Sequence, residues 1–188
     1  GNTVSGATIG HGLGDTPKII IAKSLGSGTN WCVQVPSVIG AGNSLFLNSS
    51  AGVSNHGTGQ SNRWTQTLPT SSVFSIGGST ELNDNGVSVI AYCFAEVDGY
   101  QKIGSYTGNG TSSKIVYTDS NGDGTGTGAF QPRWLMTKRA DSSVTDWHIW
   151  DNIRNPSNPL TLLLIPNEAY ADANYSAYHT IFYQTDLR

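Results

Sequence analysis

With 188 residues, the chain is long enough to bury the core of one or two compact domains. Charged residues make up only 12% of it and the formal net charge is −3, so the basic surface of a nucleic-acid binder is missing. No apolar run approaches the roughly 20 residues that cross a bilayer. We therefore expect no nucleic-acid partner and no membrane partner.

The spacing of apolar runs and turn residues in the sequence is typical of an all-β protein. Short apolar or alternating runs recur between clusters of Gly, Asn, Ser and Asp. Strands are predicted near 17–23, 31–35, 44–48, 72–76, 87–97, 101–107, 114–118, 132–138, 146–151, 160–165 and 179–184. The one helix candidate covers 167–178. So many short strands predict a β-sandwich or a jelly-roll-like fold.

One motif occurs twice in the chain. Pro-Lys-Ile-Ile-Ile-Ala-Lys at 17–23, followed by Trp31, is matched by Pro-Arg-Trp-Leu-Met-Thr-Lys at 132–138, followed by Trp147. This repeat predicts an internal pseudo-duplication, either as two small domains or as one pseudo-twofold domain. The predicted β repeats are 1–107 and 108–188. Because each copy lacks an element that the other has, we expect the chain to be a fragment of a longer protein.

The two cysteines, Cys32 and Cys93, do not form a CxxC motif, and two thiols alone cannot complete a zinc site. One disulfide between them is an open alternative. Two separate thiols on apolar strands are favoured, because cysteine is among the residues most often buried.

The sharpest local motif lies in the glycine-rich loop 119–128. Asp119, Asn121 and Asp123 stand at alternate positions before Gly124, as in the first half of a calcium-binding loop. With Thr125, these side chains form a candidate calcium site. The match fails at the twelfth position, where a phenylalanine replaces the bidentate glutamate. A plain glycine-rich turn is therefore favoured over calcium.

No set of residues predicts catalysis, and we expect that the chain is not an enzyme. The histidines are near no recognisable nucleophile, and Gly-x-Ser-x-Gly is missing from the sequence. We expect His11 to be a turn residue and His148 to have a structural role on its strand. Apart from the calcium alternative, no cofactor is predicted.

The tryptophans divide into two groups. Trp31 and Trp147, which the repeat matches, are predicted to pack symmetrically, either in the core or across the pseudo-twofold. Trp64 follows Arg63 in the stretch 52–70, which is rich in Gly, Ser, Asn and Thr and predicts an extended loop. Arg63 and Trp64 are therefore the candidate ligand-binding pair, with Trp64 stacking on a sugar. A core position for Trp64 is an equal alternative.

Several motifs together resemble a known family. They are Gly-His-Gly-Leu-Gly at 10–14, Leu-Phe-Leu-Asn-Ser-Ser at 45–50, Ala-Tyr-Cys-Phe-Ala-Glu-Val at 91–97 and Trp-Asp-Asn-x-Arg-Asn-Pro at 150–156. The chain resembles, over nearly its whole length, a domain of unknown function found in predicted structural, tail-fibre-like proteins of tailed bacteriophages, especially marine and metagenomic ones. The family brings no catalytic residue with it.

This resemblance implies a non-enzymatic virion surface protein: a tail fibre, a spike or a capsid decoration. Such a protein acts in particle structure and host attachment, and its location is the extracellular particle. The implied partners are other virion subunits, further copies of the chain in a homo-oligomer, and a host surface glycan. Edge strands are then expected to pair between chains.

Two other classes stay open. A carbohydrate-binding, lectin-like module of a secreted bacterial protein shares this composition, and saturable glycan binding by an isolated monomer would favour it. A polysaccharide depolymerase needs a pair of carboxylates about 5–10 Å apart in a cleft, and loss of polymer viscosity would favour it.

Overall fold

The computed structural model describes residues 1–26, 28–55, 62–111, 114–169, 172–175 and 180–183. Within these ranges nearly all regular structure is β-strand, which confirms the all-β prediction. The strands are β1 Ala7–Gly10, β2 Ile19–Ser24, β3 Cys32–Gln34, β4 Asn43–Phe46, β5 Ser54–Asn55, β6 Val73–Ile76, β7 Val89–Phe94, β8 Trp134–Lys138, β9 Trp147–Asp151, β10 Leu162–Leu163 and β11 Ala173–Asn174.

Two one-turn helices interrupt the strands. Helix α1 spans Pro36–Ile39 and begins with a proline, whose fixed φ suits the first helical turn. Helix α2 spans Thr80–Asn83, and the side chain of Ser79 caps it by accepting a hydrogen bond from Glu81 N. No helix in the described ranges is long and apolar enough to cross a bilayer.

The chain forms two compact units. Unit 1 comprises Gly1–Ala95 and Lys138–Asp146, and unit 2 comprises Glu96–Thr137 with the described part of Trp147–Arg188. Unit 2 begins before the predicted repeat boundary at 107/108, because the turn after Ala95 bonds within unit 2: Gly99 N donates to Gly128 O at 3.0 Å. The repeat boundary itself stays a prediction about the sequence.

Unit 1 contains the larger sheet. Its five strands lie in the order β5-β4-β3-β2-β7, and each neighbouring pair is antiparallel. A separate antiparallel pair joins β1 to β6, and Trp64 extends this pair through a bridge to Ile76. Strand β7 is therefore at one edge of the five-stranded sheet.

The inner face of the five-stranded sheet is the core of unit 1. In β2 the alternate residues Ile20, Ala22 and Ser24 are buried, whereas Ile19 and Ile21 are half-buried. The continuous Ile-Ile-Ile run is thus fully buried on one face of the sheet only. The core cluster joins β2, β3 and β4 to β6, α2 and Trp64.

Unit 2 has two short strand pairs, β8 with β9 and β10 with β11. Its buried cluster is Trp150, Leu160, Leu163 and Phe182. The motif at 150–156 organises the turn after β9. Asp151 Oδ1 accepts hydrogen bonds from Ile153 N and Arg154 N, and Asp151 Oδ2 pairs with Arg154 Nε at 2.5 Å. Asp172 Oδ2 holds the same guanidinium at 2.8 Å.

Three predicted elements are not formed. Segments 101–107 and 114–118 have strand-like sequences, but within the described residues only Gln101 of these segments joins a bridge. The helix predicted for 167–178 is wrong, because β11 lies inside this span and pairs with β10. Of the strand predicted at 179–184, Thr180 bridges to Leu160, and residues 179 and 184 lie outside the described residues.

Both copies of the sequence repeat form a strand that pairs with the next strand along the chain. In the first copy β2 pairs with β3, and in the second β8 pairs with β9. Trp147 is buried as predicted, but Trp31 is only half-buried. The sandwich arrangement and the pseudo-duplication stay predictions.

The two faces of β2 make a matched pair of substitutions. We expect Ile20→Ala to lower the free energy of unfolding by about 3 kcal/mol, because it leaves a cavity in the core. Ile19→Ala removes the same atoms from a half-buried position and should cost clearly less. Urea denaturation measures both variants. Equal losses would contradict the assignment of the core to one face of the sheet.

Candidate functional site

The structure places Trp64 in the core instead of in an exposed loop. Its side chain is 0% exposed and packs edge-on against Phe74, with ring centroids 6.3 Å apart. The expectation of an exposed, sugar-stacking Trp64 is therefore wrong. The bridge to Ile76 carries Trp64 inward, although its neighbours in the sequence are those of a surface loop.

Arg63 also has a structural position. Its guanidinium forms an ion pair with Glu81 on α2 and lies over the ring of Phe46, 4.7 Å from the centroid. The other carboxylate oxygen of Glu81 accepts a hydrogen bond from Asn30 Nδ2 at 3.0 Å. Both side chains of the pair are mostly buried, so Arg63 ties α2 to the core and is not positioned to meet a ligand.

The glycine-rich loop 119–128 closes on the carboxylate of Asp119. Asp119 Oδ1 accepts a hydrogen bond from Gly124 N at 3.1 Å, and Oδ2 accepts one from Gly126 N at 2.6 Å. A Cβ atom at Gly126 would lie 2.6 Å from Asp119 Oδ2, so the close approach requires glycine. The side chain of Asp119 is buried by its own loop.

The other three predicted calcium ligands bond to one another. Asp123 Oδ1 accepts from both the N–H and the hydroxyl of Thr125, at 2.9 and 2.6 Å. Asn121 Nδ2 donates to Thr125 Oγ1 at 3.1 Å. The described residues contain no group of three His, Cys, Asp or Glu side chains that could hold a metal ion. The geometry supports a self-closed turn, and calcium would have to replace these bonds.

The pKa of Asp119 lies below its ordinary value. Burial alone would raise the pKa, but the backbone N–H donors of Gly126, Gly124 and Asn121 outweigh it because they stabilise the carboxylate. The ionised form is thus the form that holds the loop closed.

Two histidines lie in the described residues. His11 is a turn residue, as predicted: its Nδ1 accepts from Leu13 N and its Nε2 is 3.1 Å from Thr70 O. His148 packs edge-on against Trp150, with centroids 5.4 Å apart. His56 and His179 lie outside the described residues.

The cysteines lie on separate strands, as predicted. Cys32 is in β3 and Cys93 is in β7, with β2 between them. Two strand spacings amount to roughly 10 Å, which exceeds the roughly 7 Å limit between the Cα atoms of a disulfide. Burial raises the pKa of Cys32 to about 12, and nearby Glu81 adds to the effect.

A cleft lies between β1 and β7 in unit 1. We call it the β1–β7 cleft. Its cavity of about 280 Å³ is lined on one side by Ile9 and Gly10, and on the other by Val89, Ala91 and Cys93. Its floor consists of core residues, namely Phe74, Ile76 and Leu82. The cleft continues past Val89 toward Gly1 and Val87.

A second feature of β7 escaped the sequence analysis. Its alternate residues Ile90, Tyr92 and Phe94 are all exposed, Tyr92 to 45%, and they form what we call the outer apolar face. Ile21 and Ile19 lie opposite Tyr92 and Phe94 and continue this face into β2. In the sequence, 89–94 is a continuous apolar run, so nothing in it showed which face is exposed.

Trp134 on β8 is also exposed, to 55%. Trp31 is half-buried, and Trp64, Trp147 and Trp150 are buried. Trp134, and not Trp64, is therefore the exposed tryptophan.

Comparison with known proteins gives one match. The model of a family described as a domain of unknown function, DUF7483, matches residues 1–185. No curated protein and no solved structure matches the chain. The match therefore brings no activity, ligand or partner with it.

Removing the partner of Arg63 should destabilise unit 1. We expect Glu81→Gln to lower the free energy of unfolding by about 3 kcal/mol, because a largely buried cation loses its counter-charge. Asp141→Asn is the control: it removes an equivalent charge from the exposed pair with Arg139, and it should change little. Similar effects of both substitutions in urea denaturation would contradict the buried role of Arg63.

The loop 119–128 should respond to acid through Asp119. Because its folded pKa is depressed, the stabilisation is present above the ordinary value of about 3.9 and is lost as the pH falls through the folded pKa. The amide proton shifts of Gly124 and Gly126 should therefore titrate together below about pH 3.9.

In Asp119→Asn these amide shifts should lose this titration, since no carboxylate remains. Addition of calcium to the unsubstituted chain should leave them unchanged. Saturable shifts with calcium would contradict the self-closed turn and restore the calcium prediction.

Proposed function

The chain belongs to the DUF7483 family, whose function is unknown, and for this member we propose a non-enzymatic role on the surface of a bacteriophage particle. The protein would be a tail fibre, a spike or a capsid decoration that acts in particle structure and host attachment. Its partners would be other virion subunits, copies of itself and a host surface glycan.

The outer apolar face of β7 carries this proposal. Exposed apolar groups that adjoin one another on a soluble chain mark interaction surfaces. Here the face lies on the edge strand of a sheet, in a chain with few charges. In a particle built of repeated subunits, a neighbouring subunit would cover this apolar face. The low charge supports close packing, because little like-charge repulsion opposes it.

Host attachment would use exposed aromatic side chains. Trp134 is the exposed tryptophan, and a broad indole offers an apolar face with one N–H donor. A single such contact is weak. Many copies on one particle would convert weak contacts into avidity without any new contact type.

The exposure of Trp134 also favours a second candidate function, a carbohydrate-binding module of a secreted bacterial protein. The two candidates differ in what the isolated chain does. A secreted module binds glycan saturably as a monomer, whereas a virion subunit depends on multiple copies.

Immunogold electron microscopy tests the location. Antibodies against the purified chain are applied to phage particles and to the soluble fraction from the natural source. Gold on fibres, spikes or the capsid surface is the expected result. Gold confined to the soluble fraction, with unlabelled particles, would overturn the virion proposal and favour the secreted module.

Substitution of Trp134 tests attachment. We expect Trp134→Ala to weaken glycan binding by a multivalent display of the chain roughly tenfold, because the stacking surface is removed. Ile153→Ala is the control, since Ile153 is an exposed apolar residue of the same unit. A glycan array reads out both variants. Equal binding by both would contradict a role for Trp134.

A further inference from the structure

We propose that the β1–β7 cleft accepts a β-strand from a second copy of this chain, and that segment 114–118 is the strand it accepts. This inference adds to the proposed assembly of copies a contact separate from the outer apolar face. It rests on the proposed function only for its biological setting, because the exchange is a property of the purified chain.

Strand β7 has an open edge on the side away from β2. Leu25 N donates to Ser88 O in the register of the β2–β7 ladder. Bonded and non-bonded pairs alternate in an antiparallel ladder, so the backbone groups of Val89, Ala91 and Cys93 point away from β2. Within the described part of the chain these groups have no hydrogen-bond partner. Such an edge is a template for another strand.

Strand β1 presents another open edge to the same cavity. His11 N donates to Ser72 O in the register of the β1–β6 pair. By the same alternation, the backbone groups of Thr8 and Gly10 point away from β6. Gly10 lines the cleft together with the three residues of β7. A guest strand would thus find backbone partners and an apolar floor in one place.

Segment 114–118 has a strand-like sequence but pairs with no strand in the described part of the chain. Lys-Ile-Val-Tyr-Thr at 114–118 has high β propensity, yet in the described residues the backbone of 114–118 makes no hydrogen bond. Ile115 and Val116 are exposed to 56% and 53%. Segment 114–118 therefore lacks a pairing strand, and the open edges of β1 and β7 lack one too.

The chemistry of the two surfaces also agrees. Apart from His11, the residues that line the cleft are uncharged, and Lys114 is the one charged residue of the donor segment 114–118. In an extended strand Ile115 and Tyr117 share one face, which can lie on the apolar floor once the Tyr117 ring leaves its position beside Gly124. Strand addition of this kind takes its affinity from main-chain bonds and its selectivity from alternate side chains.

A second copy is the occupant that the observations favour, because every copy carries both surfaces. Donor and acceptor are then always present at equal concentration. Reciprocal exchange between two copies also gives a closed, twofold assembly, which is the commonest form of homo-oligomer.

The reactivity of Cys93 reports whether the cleft is occupied. Cys93 is a free thiol in the cleft wall, whereas Cys32 is 0% exposed, so a maleimide should modify Cys93 alone. Labelling is followed by peptide mass spectrometry over a dilution series, with sedimentation velocity on the same samples. The expected result is an oligomer at high concentration with a protected Cys93, and a monomer with a reactive Cys93 on dilution.

Two matched variants test the donor. Val116→Pro removes a backbone N–H that a central strand needs and fixes φ at about −65°, and it touches no described hydrogen bond of the fold. It should abolish association and expose Cys93 at every concentration. Tyr106→Pro makes the same change in the other exposed segment that lacks a ladder, and it should leave association intact. The reverse pattern, or association that ignores both variants, would overturn the proposal.

A peptide of residues 114–119 tests the acceptor alone. Added to the Val116→Pro variant at about tenfold excess over its Kd, it should slow Cys93 labelling about tenfold. The same peptide with proline at its Val116 position should have no effect. Absence of protection by the native peptide would overturn the proposal. Concentration-independent protection in a monomer would also overturn it, since the segment would then dock within its own chain.

These outcomes are separate from the location of the protein. A chain that stays monomeric leaves the immunogold result standing. A chain that exchanges strands but labels no particle keeps this inference and loses the virion proposal.

Discussion

The organisation of unit 1 depends on the burial of one face of β2. Ile20 and Ala22 lie in one cluster with Trp64, Phe74 and other residues from β6 and α2. The cluster fixes which face of the sheet is inner, and the two-residue period then determines every other orientation in β7. The apolar cleft and the outer apolar face are therefore opposite sides of one strand, and both follow from the same register.

Hydrogen bonds from short polar side chains to the backbone hold irregular segments in place, as ion pairs do in many proteins. The buried Asn83 donates through Nδ2 to Val4 O and Gly77 O and accepts from Asn2 N, which fastens the N-terminal segment to α2. Asp119 closes its loop in the same manner, with backbone amides as partners. Because Asn83 and Asp119 hydrogen-bond to backbone groups around them, a chain with few charged residues can still order irregular segments.

Local patterns in the sequence predicted the all-β class and most of the longer strands, including β2 and β9. They failed where a distant partner decides the outcome. Trp64 has the sequence neighbours of a surface loop, but its bridge to Ile76 buries it. Segment 114–118 has the propensity of a strand but no ladder, since propensity cannot supply a partner. Asp119 was recognised as special, yet sequence could not show that its oxygens face the amides of its own loop.

The chain passes from unit 1 to unit 2, returns for the segment Lys138–Asp146 and leaves again. That segment is integral to unit 1: Lys138 Nζ donates to Ser50 O at 3.1 Å, and Val53 N donates to Ala140 O at 3.0 Å. A single crossover between genes, or a single truncation after residue 95, would therefore leave unit 1 without these partners. Evolution and protein engineering alike must transfer the two units together, or move unit 1 as two pieces.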